Sequence, residues 1–135
     1  MSKKIVILYS GGLDSFVLYH WAKSKYPNDD VVPIYWNYHH TVSEEEIRAL
    51  PDFVQIRNVD WMNIPGCEPK ELPGRTEGPI FVAGRNLVFS VLNACMDLPD
   101  EIWLGTLDGE TSNKGTDKNY QFLWTLNTTL NYVLS

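Results

Sequence analysis

The residues best arranged for chemistry stand near the start of the chain, in KIVILYSGGLDSFVLYHWAK, residues 4–23. An apolar run, Ile5 to Tyr9, meets Ser10-Gly11-Gly12 without a polar linker, and an apolar helical pattern resumes just beyond. A strand that turns directly into a helix aims the free N–H groups of that helix at the carboxyl edge of its sheet, where open α/β sheets bind ligands. Glycines at the junction permit positive φ and let a ligand approach the backbone. The N–H groups and the positive end of the helix dipole then favour an anion, most commonly phosphate. Ser10 and Ser15 add hydroxyls, and Asp14 adds a carboxylate that would repel bare polyphosphate unless a cation such as Mg²⁺ lay between them. The stretch therefore predicts a magnesium nucleotide site built from Ser10, Gly11, Gly12, Leu13, Asp14 and Ser15, with Asp14 on the metal. A plain βα turn would explain the glycines, but not the full order of strand, small triplet, acid, hydroxyl and helix. Neither GxxxxGK[ST] nor GxGxxG is present.

SGGLDS, residues 10–15, resembles the SGGxDS signature of the PP-loop ATP pyrophosphatases. The resemblance implies an adenine nucleotide α-hydrolase-like fold and cleavage of ATP between its α and β phosphates, with adenylation of a substrate oxygen. FVAGRNLVF, residues 81–89, is similar to the F-V-P-G-R-N motif of one branch, the 7-cyano-7-deazaguanine synthases, with Ala83 in place of proline. Physically, Gly84 can end a loop in a conformation closed to other residues, and Arg85 and Asn86 then open a helix. Arg85 has a fixed charge suited to carboxylate or phosphate, although both residues could simply cap a surface helix. GTDKNYQFLWTLN, residues 115–127, is similar to a G-Y-P-D-C...F...L-N region of that branch, which brings Lys114 and Asp117 forward as substrate contacts. A solvated loop explains those two equally well. Tyr38-His39-His40 stands where the branch has D-Y-G-Q-x-H, but adjacent histidines at a strand end are more often surface residues than ligands.

The resemblance covers essentially the whole chain. It implies an ATP-dependent ligase that adenylates a 7-carboxy-7-deazaguanine-like carboxylate and forms the nitrile with ammonia, releasing AMP and pyrophosphate. Asp14, Ser15 and Arg85 would be catalytic, and Gly84, Arg85, Asn86, Lys114 and Asp117 would meet the substrate. Members of that branch continue into a further strand and a cysteine cluster that binds zinc, which leads to the expectation of no zinc site here. Two rival readings stand beside this one: another PP-loop adenylating amidotransferase or thiolase, and a truncated, non-catalytic nucleotide-binding or interaction subunit.

Composition agrees with a small-molecule partner. The 135 residues suit one domain, and 44% hydrophobic with 21% charged residues is ordinary for a globular chain. A net charge of -6 gives no footprint for gripping nucleic acid. No apolar run approaches the ~20 residues that span a bilayer, and no cleavage site follows Lys3-Lys4, so a cytoplasmic protein is expected. Cys67 and Cys95 are too far apart for a CxxC unit and are expected as free thiols.

The elements that must position these residues alternate in type. Lys4 to Tyr9, Val31 to Trp36, Phe53 to Val59 and Glu101 to Leu107 read as strands. Helices are expected over Asp14 to Lys25, Val42 to Leu50, Arg85 to Met96 and Asn119 to Leu134, the last with Leu123, Leu126, Leu130 and Leu134 on one face. The first is apolar nearly all round at its start, as in a helix packed against both a sheet and a neighbour. Ser43 and Glu46 match a capping box. Alternation implies an α/β fold with a parallel sheet, and the resemblance adds the strand order 3-2-1-4. The proline- and glycine-rich stretch 60–84 is expected as a long lid or binding loop within the single domain. The fourth strand, with Ile102, Trp103 and Leu104 guarded only by Glu101, would be a poor solvent edge. Self-association through it is expected, with the last helix folding over that edge as the monomeric alternative.

Overall fold

The computed structural model describes residues 2–39, 43–60, 85–105 and 120–134. Strand β1 (Lys4–Leu8) is the centre of the molecule: Ile5, Val6 and Ile7 are fully buried, as an unbroken apolar strand covered on both faces must be. It pairs in parallel with β2 (Asp30–Asn37) on one side and β4 (Glu101–Leu104) on the other, with Val6 opposite both Val32 and Ile102. A fourth strand, β3 (Gln55–Asn58), pairs in parallel with the outer side of β2, giving the order β3-β2-β1-β4. Fold class and strand order both match expectation. Pro33 sits inside β2, although it has no N–H to give to a ladder. The ladder absorbs it because Ile34 turns its carbonyl to Tyr9, so Pro33 faces the other side, where pairing with β3 begins only at Ile34–Gln55.

Alternation along the strands sends side chains to two separate cores. Ile5, Ile7 and Val31 face α1 (Leu13–Lys25), where they meet Leu18, Tyr19 and Ala22. Val6, Val32, Ile34 and Trp36 face α3 (Arg85–Asp97), against Val88, Phe89 and Leu92. The short α2 (Ser43–Ala49) lies on the α1 side, with Ile47 packed on Tyr9, Tyr35 and Val54. Burial of α1 is narrower than its composition suggests. Leu13, Phe16, Val17 and Trp21 are exposed, and the expected second neighbour of Phe16 and Val17 does not lie among the described residues. Element ends shift by up to three residues from the sequence expectation, mostly because β3 and β4 stop pairing early. Among the described residues, no helix is long and apolar enough to cross a membrane.

One polar network ties the edge of the sheet to α3. The Arg57 guanidinium of β3 grips Asp97 at the end of α3 through two bonds, of 2.6 and 2.7 Å. Arg57 also donates to Asn93 Oδ1 at 3.3 Å, and Trp36 Nε1 donates to the same oxygen at 3.1 Å. The hydrogen bonds from Arg57, and then its charge, hold the Asp97 carboxyl below the ordinary aspartate range. The pair is largely shielded from water, so removing one partner strands the other.

The last described helix, α4 (Tyr120–Leu134), carries no charged residue. Leu123, Leu126, Leu130 and Leu134 share one face, as their spacing predicts, and line a cavity of about 720 Å³. The same cavity touches β4, Leu18 and Trp21 of α1 and Ser90 and Ala94 of α3, and α1 and α3 occupy opposite faces of the sheet. It therefore wraps around the side of β4 away from β1, where no described strand pairs, with α4 standing beyond it.

The ion pair yields a stability prediction. Asp97→Asn is expected to lower unfolding free energy by about 2–4 kcal/mol at pH 7, measured by urea denaturation. A carboxyl with a lowered folded pKa contributes stability that is present above its unfolded value, near pH 4, and is lost as pH falls through the lower folded value. The gap between the parent and Asp97→Asn should therefore narrow below about pH 4.

Candidate functional site

The growth of the sheet reverses at β1: β2 and β3 extend it one way and β4 the other, so the crevice of a doubly wound sheet opens at the carboxyl ends of β1 and β4. A cleft of about 200 Å³ lies there, bordered by Ser10 and Ser15 at the end of β1, Tyr35 and Trp36 of β2, Asn86 of α3 and Gly105 after β4. The local sequence explains the opening. β1 ends at Leu8, and Gly11 at φ +86° turns the chain so that α1 starts only two residues later. Gly12 is the N-cap and offers no side-chain oxygen to the first helical turn. The first backbone bond of α1 runs from Phe16 N–H to Gly12 O at 3.3 Å. The earlier N–H groups of the helix thus lack a side-chain cap, as an anion cradle requires.

The two serines are coupled. Ser10 N–H donates to Ser15 Oγ at 2.9 Å, and the two hydroxyls lie 2.7 Å apart. Donation from the buried Ser15 hydroxyl to Ser10 Oγ would leave the proton of the exposed Ser10 hydroxyl available to a ligand. Gly105 backs this turn from β4. A Cβ placed on it would come within 3.3 Å of Asp14 Cβ and 3.5 Å of Ser15 N, so a bare backbone lets the β4 terminus close on the start of α1. Asp14 and Leu13 are exposed beside the cleft, not among the residues that border it.

Aromatic residues that sequence reasoning left unassigned form the opposite wall. Trp36 and Phe89 stack at 5.7 Å with planes 7° apart, and Tyr38 tilts onto Phe89 at 5.7 Å. Tyr35 donates its hydroxyl proton to Glu46 of α2 at 2.5 Å, joining α2 to the cleft floor. Burial, and then the Glu46 carboxylate, push the Tyr35 phenol well above its ordinary range, so it remains a proton donor. Glu46 thus has a partner on β2 in addition to its expected place in a capping box, a link the α2 sequence could not reveal. The available signal was period two in β2, which sends Tyr35 and Trp36 to opposite faces at the binding edge.

The remaining expected residues divide. Arg85 opens α3, and Asn86 borders the cleft in its first turn. Gly84, Lys114 and Asp117 lie outside the described residues, as do the stretch 60–84 beyond Asp60, His40 and Cys67. His39 is exposed and held at φ +60° at the end of β2, with its N–H on Asn37 Oδ1 at 3.0 Å. Cys95 is an exposed free thiol.

The turn gives a direct test. A methyl group on Gly11 would meet only Leu50 Cδ2, at 3.7 Å, so space is no obstacle and the φ of +86° alone sets the cost. Gly11→Ala is expected to destabilise the chain by about 1–2 kcal/mol, measured by thermal or urea unfolding. An unchanged midpoint would mean that the left-handed turn is not held in solution.

Comparison with known proteins adds one relative. A curated 7-cyano-7-deazaguanine synthase 1 of Desulfitobacterium hafniense (strain Y51) is 36% identical over 102 residues, a match taking in 63% of this chain and 46% of that protein. The chain thus spans less than half the length of the relative it matches. No family model matches it. The SGGLDS turn at the switch point of a β3-β2-β1-β4 sheet is therefore found in a chain similar over part of its length to a 7-cyano-7-deazaguanine synthase.

Proposed function

We propose that the chain is a PP-loop ATPase domain of an ATP-dependent ligase like the 7-cyano-7-deazaguanine synthases. It would activate a 7-carboxy-7-deazaguanine-like carboxylate in the cytoplasm. The observation that carries this reading is the uncapped start of α1, reached from the central strand through the short Tyr9 to Gly12 turn, with the coupled Ser10 and Ser15 hydroxyls beside it. That arrangement suits the polyphosphate of a nucleotide. The similarity to a curated synthase of that name supports the choice of reaction.

In this reading the substrate carboxylate attacks the α-phosphorus of ATP, and pyrophosphate leaves. Ammonia displaces AMP to give an amide, and a second activation of the amide oxygen followed by its loss yields the nitrile. Backbone N–H groups of Gly11 to Ser15 and the Ser10 hydroxyl would hold the leaving pyrophosphate, a stabilisation aimed at charge that develops in the transition state. A single Mg²⁺ would supply charge neutralisation between phosphates, and Asp14 fits it as an exposed carboxylate at the rim. Arg85, at the start of α3, would meet the substrate carboxylate or the transferring phosphate, with Gly84, Asn86, Lys114 and Asp117 as further substrate contacts. The aromatic wall of Trp36, Tyr38 and Phe89 offers an apolar, planar surface of the kind a purine-like ring would meet. Neither nucleic acid nor membrane is a partner in this scheme; a homo-oligomer would be its assembly.

A non-catalytic nucleotide-binding subunit would share the turn and the ATP site. Only the ligase generates AMP and pyrophosphate. Incubation with Mg-ATP, ammonia and candidate 7-deazapurine acids, followed by mass spectrometry, is expected to show AMP, pyrophosphate and a product nitrile. ATP binding without AMP would favour the subunit reading. Calorimetric titration tests the metal separately: ATP should bind more tightly with Mg²⁺, and Asp14→Asn should remove most of that difference without altering the unfolding midpoint. Equal ATP affinity with and without Mg²⁺ in the parent would refute the role of Asp14.

A further inference from the structure

Among the described residues that border the cleft at the ends of β1 and β4, Glu46 is the one with a formally charged side chain. Three glutamates open α2, and Glu44 or Glu45 would serve the helix dipole as well as Glu46 does. Those two are exposed, and Glu44 pairs with Arg48 at 3.7 Å on the surface. Glu46 turns inward instead. Tyr35, buried on β2, donates to its Oε2 at 2.5 Å, and the buried Ser43 hydrogen-bonds the same phenol. A phenol orients a carboxylate without cancelling its charge. Each carboxylate offers about four acceptor positions, so the bond to Tyr35 does not exhaust it.

A negative charge here opposes both ligands of the ligase reading, since ATP and the acid are anions. It is tolerated where the part of the ligand that meets it presents N–H donors and no lone pair. Adenine sets its amino group beside ring nitrogens that carry lone pairs, which a carboxylate repels. The 2-amino-4-oxopyrimidine edge of a 7-deazaguanine sets a ring N–H beside an amino group. Those two donors form the kind of fork that arginine presents to a carboxylate. The cleft, at about 200 Å³, is smaller than the ~300–1,000 Å³ of a complete ligand site, so it suits one ring system and not a whole nucleotide. We propose, resting on the ligase reading, that Glu46 is a specificity-determining residue that selects a 2-amino-4-oxopyrimidine ring by accepting its ring and amino N–H groups. Tyr35 fixes the carboxylate, and the Trp36–Phe89 stack offers the apolar wall. The acid group of such a ring stands on the five-membered half, away from that edge, and so points away from Glu46.

Calorimetric titration of the full chain with 7-deazaguanine and with 7-deazahypoxanthine, which lacks only the 2-amino group, tests the assignment. The parent is expected to bind the first about tenfold or more tightly, because the second leaves an acceptor of the site unmet. Glu46→Gln keeps an oxygen for the Tyr35 hydroxyl but sets an N–H group against the donors of the ring, and it should erase most of that preference. Equal binding of the two rings by the parent would overturn the proposal, and this comparison decides even where the variant does not fold. So would a preference that survives in Glu46→Gln, or no binding of either ring at about 1 mM. Release of AMP separates this inference from the reading beneath it. A parent that forms AMP and pyrophosphate with the 7-deazapurine acid but shows no ring preference refutes the role of Glu46 alone. Ring preference lost in Glu46→Gln, without AMP from the parent, supports the role of Glu46 and refutes the ligase.

Discussion

The structure depends on one constraint: its central strand must end without a side-chain cap for the helix that follows. β1 is fully buried in its middle, and the chain leaves it through Ser10-Gly11-Gly12 straight into α1. A longer or better-capped connection would move the helix start away from the strand and occupy its free N–H groups. Gly11 supplies the left-handed turn, and Gly105 supplies the clearance that lets β4 approach the same spot. Because β1 is also the strand at which the sheet reverses its growth, the polar end of α1 opens into the crevice that topology creates. Local turn and global strand order thus serve the same point.

The rest of the cleft is assembled around that turn by residues doing ordinary structural work. Trp36 and Phe89 fill the core between β2 and α3 and, where the strands end, become a wall. Tyr35 joins β2 to α2 through Glu46 and thereby sets the floor. Residues that bound the cleft also fill the core. The aromatic wall exists because the core extends to the carboxyl edge of the sheet.

Legibility in the sequence followed the range of the interactions involved. The strand–turn–helix at residues 4–25 and the leucine row of α4 are local patterns, and both stand where periodicity puts them. The class and the parallel pairing follow from alternation alone, whereas the order β3-β2-β1-β4 needed a family resemblance, since no local signal says which side of β1 receives β4. Long-range contacts were invisible. Nothing near Arg57 announces a pairing with Asp97, forty residues away, and nothing near Glu46 announces Tyr35. The apolar start of α1 predicts a cover on two sides, and the described residues supply the sheet side alone.

The Arg57–Asp97 clamp has a geometric consequence for the cleft at the other end of its helix. α3 has 13 residues and is therefore roughly 20 Å long, held to β3 at its last turn and bordering the crevice at its first. Were the clamp lost, the packing of Val88, Phe89 and Leu92 on the sheet would be the remaining hold on the helix. A tilt of about 5° at the clamp carries Asn86 through roughly 1.5 Å, comparable with the misplacement that disrupts near-attack geometry. The line of α3 beside the cleft thus depends in part on an ion pair at the outer edge of the sheet, together with the Trp36–Phe89 stack.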